Sequence, residues 1–271
     1  VNYTIRDLEN AFDMDALEDI QKAAWNYGDR EVMPGSMLSV SAHSGGIVAA
    51  AYPEGSNDPV GFVYGIPAVR PADIRHGKLI HHSHMLAIVP EHRGSGLARA
   101  LKLHQRNRAL EMGYDLMTWT MDPLLSKNAR LNLGKLSARA VSYHNDWYAI
   151  RGGIYAGLPA DRFMIEWSLN IDPLERPVPD AHGARLLEAR NGDPRNGPDV
   201  PETGLEADVL LIEVPRDIDG LKRDHMPTAQ AWREAHRVAF ADAFGRGYVA
   251  TDLAADGERL FYRLERPDRR L

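Results

Sequence analysis

The chain of 271 residues contains no cysteine. That excludes disulfide frameworks, thiolate zinc sites and cysteine nucleophiles, and leaves His, Asp, Glu, Ser, Tyr and Lys as the available bases, nucleophiles and ligands. Long apolar runs are missing too. The most apolar stretch, Ile47 to Tyr52, is far short of the roughly 18 consecutive apolar residues that a membrane span requires. The N-terminus lacks the charged, apolar and small-residue succession of a signal peptide, so the expectation is a soluble, cytoplasmic protein without membrane contact. A basic run is also absent: Lys and Arg number 32 against 38 Asp and Glu, a formal charge of −6 with the signs interspersed. Nucleic acid is therefore not an expected partner. What is present, 44% hydrophobic and 26% charged residues, suits one large or two modest domains with a real core.

Periodicity predicts a strand at Asn2 to Leu8 and a helix over Asp13 to Tyr27, with Leu17, Ile20 and Ala24 at helical spacing. Met37 to Ala42 is a short apolar stretch that is a candidate second helix. Ile47 to Tyr52, Val60 to Ile66 and Leu79 to Val89 read as strands separated by turns. Beyond Pro90 the period changes. Leu97, Ala98, Leu101, Ala109 and Met112 share one arc of a helix, with Arg99, Lys102 and Arg106 outside it, and Gly113 ends it before a strand at Leu116 to Met121. Ser126 to Ser142 reads as helical, and Tyr148 to Ala156 with Arg162 to Leu169 as a hairpin. Residues 171–206 carry six prolines and read as a linker with one short strand near Arg185 to Ala189. Past it, Val209 to Val214, Thr228 to Phe244, Tyr248 to Leu253 and Arg259 to Glu265 repeat the β-α-β-β order of residues 116–169. The expected division is a domain at 1–170, the linker, and a module at 207–271.

The most informative segment runs from Leu86 to Ala98. A strand ends at Val89-Pro90, the chain turns through Gly94 and Gly96, and a helix begins with unpaired N–H groups and the positive end of its dipole facing outward. Such a helix start is suited to an anion: the glycines let backbone approach it, and Arg93 adds charge at the rim. The competing reading is a tight β-α turn and nothing more. A dinucleotide fingerprint fits poorly, because Arg99 stands where the third glycine is needed.

At these residues the chain resembles the GNAT superfamily of N-acetyltransferases, whose acyl-CoA pyrophosphate loop reads Gln/Arg-x-x-Gly-x-Gly/Ala after a strand. Here the match is Arg93, Gly96 and Ala98 behind Val89-Pro90-Glu91, and in element order it extends over roughly residues 3–169. The resemblance implies an α/β (α+β) fold, a GNAT-like mixed, splayed sheet flanked by helices, here with a smaller C-terminal β-α-β-β extension. It also implies acetyl-CoA as acyl donor. The pantetheine would pair with backbone near Leu86, Ala87 and Ile88, and the diphosphate would rest on amides of Gly94, Ser95, Gly96, Leu97, Ala98 and Arg99. Asn128 is the candidate for the asparagine that the family carries beside the pantetheine arm. One departure stands out: where much of the family has a Tyr two residues before a Lys, poised to protonate the departing thiolate, Lys135 is preceded by Leu133 and Gly134. Tyr143 and Tyr148 are candidate substitutes.

His81, His82 and His84 open the strand that feeds the loop, and His82 and His84 share a face at period two. Imidazole is suited to taking a proton from an attacking ammonium near neutrality. His82-Ser83-His84-Met85-Leu86-Ala87 resembles the His-x-His strand of the serotonin N-acetyltransferase branch, which implies His82 and His84 as catalytic residues. The alternatives are histidines that simply end a strand or sit satisfied in the core, and a metal pair lacking an identifiable third ligand. No metal is expected. Asp122 follows a strand at the end where open sheets bind ligands, yet Asp-Pro also starts ordinary turns. Trp119, Trp147 and Trp167 read as core.

Together these features predict an acyltransferase that moves acetyl from acetyl-CoA to an amine by direct attack. The amine belongs to an unidentified small molecule or peptide. A non-catalytic acyl-CoA-binding or regulatory protein is the second reading, and a metal hydrolase using the paired histidines the third. The C-terminal elements have too little core to stand alone, so they are expected to dock on the first domain or on a second copy, making a homodimer in that case.

Overall fold

The computed structural model describes residues 1–70, 77–149 and 157–267. Two compact units emerge from the contacts: Val1–Trp119 with Ser168–Asp172, and the described residues from Thr120 onward other than these. The first unit holds β1 (Tyr3–Asp7), α1 (Ala11–Trp25), α2 (Gly35–His43), β2 (Ile47–Pro53), β3 (Gly61–Val69), β4 (Leu79–Ile88), α3 (Leu97–Glu111) and the start of β5 (Leu116–Met121). Its strands follow the order β1-β2-β3-β4-β5, antiparallel as far as β4 and parallel between β4 and β5. The parallel step needs a crossover, and α3 supplies it.

β2 is buried along its whole length except at Pro53 because helices cover both of its faces. Val48, Ala50 and Tyr52 pack with Phe62, Tyr64 and Ala87 against Met14, Leu17 and Ile20 of α1 and Leu38 of α2. On the opposite face Ala49, Ala51, Val63 and Ile88 meet Leu97 and Leu101 of α3. The candidate second helix at 37–42 is helical, within α2. α1 begins where the Asn10 side chain accepts the Phe12 N–H, and ends at Asn26, which takes the left-handed conformation at φ 55°.

Two irregularities in register shape this sheet. Tyr64 of β3 faces Met85, but the next residue, Gly65, faces Ser83, so His84 is an extra residue and β4 bulges there. Gly65 is required at this point, since a Cβ on it would lie 2.3 Å from His81 Nε2. The parallel ladder to β5 consists of His81 opposite Met117 and His82 opposite Thr118. From the bulge onward, no ladder pair joins β4 to β5 among the described residues.

The second unit holds the end of β5, α4 (Ser126–Ala129), β6 (Arg139–Tyr148), most of β7 (Ala160–Ser168), β8 (Ala184–Leu187), β9 (Val209–Val214), α5 (Ile218–Asp224), α6 (Met226–Gly245), β10 (Val249–Asp256) and β11 (Arg259–Glu265). The order β7-β6-β10-β11-β9-β8 is antiparallel except for the parallel pair β8 and β9. Phe240 of α6 packs edge-on against Phe163 of β7 (4.6 Å) and Tyr262 of β11 (5.4 Å). β10 pairs with β6 at Ala250 and Ala140. The C-terminal elements therefore share a core with residues 120–167, and the expected 1–170 domain divides within β5.

Three further expectations change. The helix predicted over 126–142 is one turn of α helix followed by a π-helical turn, Arg130–Lys135. Ser137 at φ 58° then turns the chain into β6, so the hairpin strand lies at Arg139–Tyr148; residues 150–156 are outside the described chain. The proline-rich segment carries β8, and its backbone is bonded at several points, Ala181 N–H to Ala255 O (2.9 Å) and Glu202 N–H to Leu186 O (2.8 Å) among them. Pro194 opens a 3-10 turn, where its missing N–H costs nothing. α5 was not anticipated; Asp217 caps it by accepting the Gly220 N–H (2.9 Å). No helix among the described residues is long and apolar enough to cross a membrane.

Candidate active site

The loop that follows β4 is held from behind and open in front. Pro90–His92 form a 3-10 turn, and Ser95 Oγ donates to His92 O (2.7 Å). Tyr3 on β1 shares a hydrogen bond with His92 Nδ1 (2.9 Å), tying the turn to the first strand. Gly94 and Gly96 have φ of 77° and 85°, and a Cβ on either would meet no atom within 4 Å. Their requirement for glycine is conformational, and space lies in front of them. Gly96 caps α3, whose Leu97 and Ala98 N–H groups have no intrahelical acceptor, whereas the Arg99 N–H, expected to face the diphosphate, donates to Gly96 O (3.1 Å). Leu97 anchors the helix in the core, and Ala98 is partly buried beside it. Arg93 is engaged otherwise than expected: Nε donates to Ile88 O (3.2 Å) and Nη2 to Ala24 O (2.7 Å), at the carbonyl end of α1. A cation is favoured there by the helix dipole, so this side chain braces the loop against α1.

Leu86, Ala87 and Ile88 form the end of β4 between the bulge and the loop. Ala87 and Ile88 are buried and Leu86 partly so. Their side chains go to the two cores already described, Ala87 toward α1 and Leu86 and Ile88 toward α3.

The three histidines occupy different settings. His81 is fully buried; it accepts from Gln105 Nε2 at its Nε2 (3.1 Å), its Nδ1 has no partner, and burial, then Lys102 and His82, push its pKa down to about 3. It is a neutral core histidine, not a base. His82 is half-buried, with Nδ1 hydrogen-bonded to Thr118 Oγ1 of β5 (2.9 Å). Burial, with help from His84 and Lys102, lowers its pKa to about 4. His84 sits on the bulge, exposed, 6.4 Å from the His82 ring and edge-on to Tyr64 at 6.0 Å. The desolvated side of its ring lowers its pKa as well. The structure thus brings His82 and His84 together, neutral at neutral pH. Among the described residues no group of three or more potential ligands could hold a metal ion.

Sequence reading placed Lys102 on the solvent face of α3. It is 4% exposed. Lys102 Nζ donates to Ser83 Oγ (2.7 Å) and lies 3.9 Å from the centre of the Trp119 ring, while Ser83 Oγ donates to Gln105 Oε1 (2.7 Å). The signal was the row Ala98, Lys102, Gln105, Ala109, which keeps i, i+4, i+7, i+11 spacing. It runs beside the apolar arc and belongs to the same buried face. Met112, placed on that arc, is 41% exposed beyond the last turn.

The other candidates lie in the second unit. Asn128 is exposed on α4. Asp122 accepts from Arg233 Nη2 with both carboxylate oxygens (2.9 and 2.8 Å) and caps the Leu124 N–H (2.8 Å), which is structural work. Leu133, at the position of the family tyrosine, is fully buried, and Lys135 pairs with Glu175 (2.9 Å). Tyr143 stacks on Phe240 and donates to Asp161 (2.7 Å); burial raises its pKa, so its proton is firmly held. Tyr148 reaches Thr120 Oγ1 at 3.4 Å. Trp119 and Trp167 are core, as expected, but Trp147 is 40% exposed near the end of β6.

No family model and no curated protein matches this chain. Among solved structures it is similar to an IAA acetyltransferase from Bacillus cereus, 14% identical with a TM-score of 0.46, covering 62% of this chain and 99% of that one. The ribosomal-protein-S18-alanine N-acetyltransferase from Escherichia coli is 15% identical at a TM-score of 0.48, covering 65% and 99%. A phosphinothricin acetyltransferase of the GNAT superfamily from Sinorhizobium meliloti, in complex with AcCoA, is 17% identical at 0.49, covering 67% and 98%. Over about two thirds of its length the chain is similar in architecture to acetyltransferases of the GNAT kind.

Proposed function

We propose that this protein transfers an acyl group, acetyl in the first instance, from acyl-CoA to an amine by direct attack. The observation that carries the reading is the early end of the ladder between β4 and β5. Their ladder stops at His82 and Thr118, β4 carries a bulge at His84, and beyond it β4 runs on without a further rung to an open glycine loop at the start of a helix of 15 residues. Unpaired strand N–H and C=O groups are what an amide-bearing pantetheine arm needs, and the loop amides are what a diphosphate needs.

In this reading Leu86, Ala87 and Ile88 offer backbone to the pantetheine. Gly94, Ser95, Gly96, Leu97 and Ala98 offer amides to the diphosphate. The amine nitrogen bonds to the thioester carbon as the carbon–sulfur bond breaks, and the ammonium proton leaves through His82 to His84 and solvent. His82 is held neutral and so is free to accept, but its low basicity makes it a relay rather than a strong base. Most of the rate comes from positioning.

Calorimetric titration with acetyl-CoA and CoA, followed by thiol release across a panel of amines, tests the proposal. Absence of CoA binding overturns it. Binding with no turnover on any amine supports instead a non-catalytic acyl-CoA-binding role, the reading favoured by the buried Leu133 at the position of the family acid.

A further inference from the structure

A buried cation normally has an anionic partner, because an uncompensated charge away from water is costly. Lys102 has none: among the described residues it makes no ion pair, and its ammonium is met only by the Ser83 hydroxyl and the face of Trp119. Those two contacts locate it. Ser83 is the residue of β4 just after the last rung of the ladder to β5, and Trp119 is the residue of β5 just after the same rung. The ammonium therefore sits just past the last rung of the ladder, on the face of β4 that packs against α3. Along α3 it stands about 9 Å beyond Gly96 at 1.5 Å per residue, past the phosphate loop. An arm laid along the free edge of β4 from that loop ends where Lys102 waits, and the group at the end of a pantetheine arm is its sulfur.

We propose that Lys102 is the cation that stabilises the departing CoA thiolate, in place of the tyrosine acid that the sequence lacks. The proposal rests on the acyl-transfer reading above. When the carbon–sulfur bond breaks, its electron pair stays on sulfur, and the thiolate compensates the lysine charge. The titratable groups that interact with Lys102 are His81 and His82 of β4, with Ser83 of β4, its partner Gln105 of α3 and Trp119 of β5 as neutral neighbours. Neither histidine is protonated near neutrality, so nothing else there competes for the anion. Burial also lowers the pKa of Lys102 to about 7, as an unpaired buried ammonium requires, and an arriving anion draws the proton back.

The test is the titration of the thiol of bound CoA, followed by thiolate absorbance in the ultraviolet with the desulfo-CoA complex as blank. In the wild-type complex the thiol should titrate about one to three pH units below that of free CoA, the effect of a cation within a few ångströms. Lys102→Met and Lys102→Gln should bring it back to the free value or above it, while still binding desulfo-CoA, which shows that the site is intact. A wild-type thiol titrating as in free CoA overturns the proposal without recourse to any variant. So do variants that bind CoA and leave the titration lowered. Failure of the wild type to bind CoA or desulfo-CoA overturns the acyl-transfer reading itself, a separate and recognisable result.

Discussion

Gly96→Glu isolates the loop from the rest of the fold. Gly96 holds φ at 85°, where a residue with a Cβ costs about 1 to 2 kcal/mol, and the space before it is empty, so no clash adds to that cost. Gly96→Ala carries the same strain without the charge, and serves as the control. Both variants should lose about 1 to 2 kcal/mol in denaturant unfolding and remain folded. They should part company in binding. A carboxylate about 5 Å from a diphosphate charge, at an effective dielectric of about 20, is repelled by roughly 3 kcal/mol, close to a 200-fold loss of affinity. The alanine variant, whose methyl group is small beside the cradle, should stay within about tenfold of wild type. Calorimetry with CoA reads both. If the glutamate variant folds and binds CoA as wild type does, the diphosphate is not at this loop. If alanine costs as much as glutamate, the loop conformation matters and the charge argument fails.

His82→Gln should lower turnover by about 100-fold, at the low end for a proton-transfer residue, and exposed His84→Gln by less. The acidic limb of kcat/KM in the wild type should lie well below the usual histidine pKa of about 6.5, because His82 is active when neutral and is held neutral down to about pH 4; a limb near 6.5 contradicts this. Stability should fall as pH drops from about 6.5 toward 5. His81, His82 and His236 bind protons in the unfolded chain over that range but are held neutral in the fold, with pKa values lowered to about 3, 4 and 4. Their stabilisation is complete above the unfolded pKa and is lost as pH falls toward the folded values, at up to about 1.4 kcal/mol per pH unit for each. Equal unfolding midpoints at pH 7 and pH 5 would refute it. Arg233→Met should cost about 1 to 3 kcal/mol in unfolding, because it removes the two-point partner of Asp122 and leaves that carboxylate only Arg162, at 3.7 Å, and the Leu124 N–H; no loss of stability would show that the pair does not contribute.

The parts of this protein that were legible in its sequence are those whose causes are local. The strand, the proline, the two glycines and the helix after them follow from backbone preferences within about a dozen residues, and they are where they were expected, as are β2, β5, β9 and β11. Apolar alternation also marked which strands face a core. Register was not legible. The bulge at His84 arises from the pairing of β4 with β3, which sets Gly65 opposite Ser83, and the end of the ladder at His82 depends on a strand more than 30 residues away. The fate of charged side chains was hidden for the same reason. Arg93 was read as a loop cation but found the carbonyl end of α1, Asp122 found Arg233, and Lys102 found Ser83 and Trp119. Each partner is distant in sequence, and a polar residue that is satisfied inside a fold has the same letter as one left in water. Sequence determined the loop and the histidine strand. Only tertiary structure decided that the ladder between β4 and β5 ends at His82 and Thr118, and which charge stands just past it, because both depend on contacts that no local preference encodes.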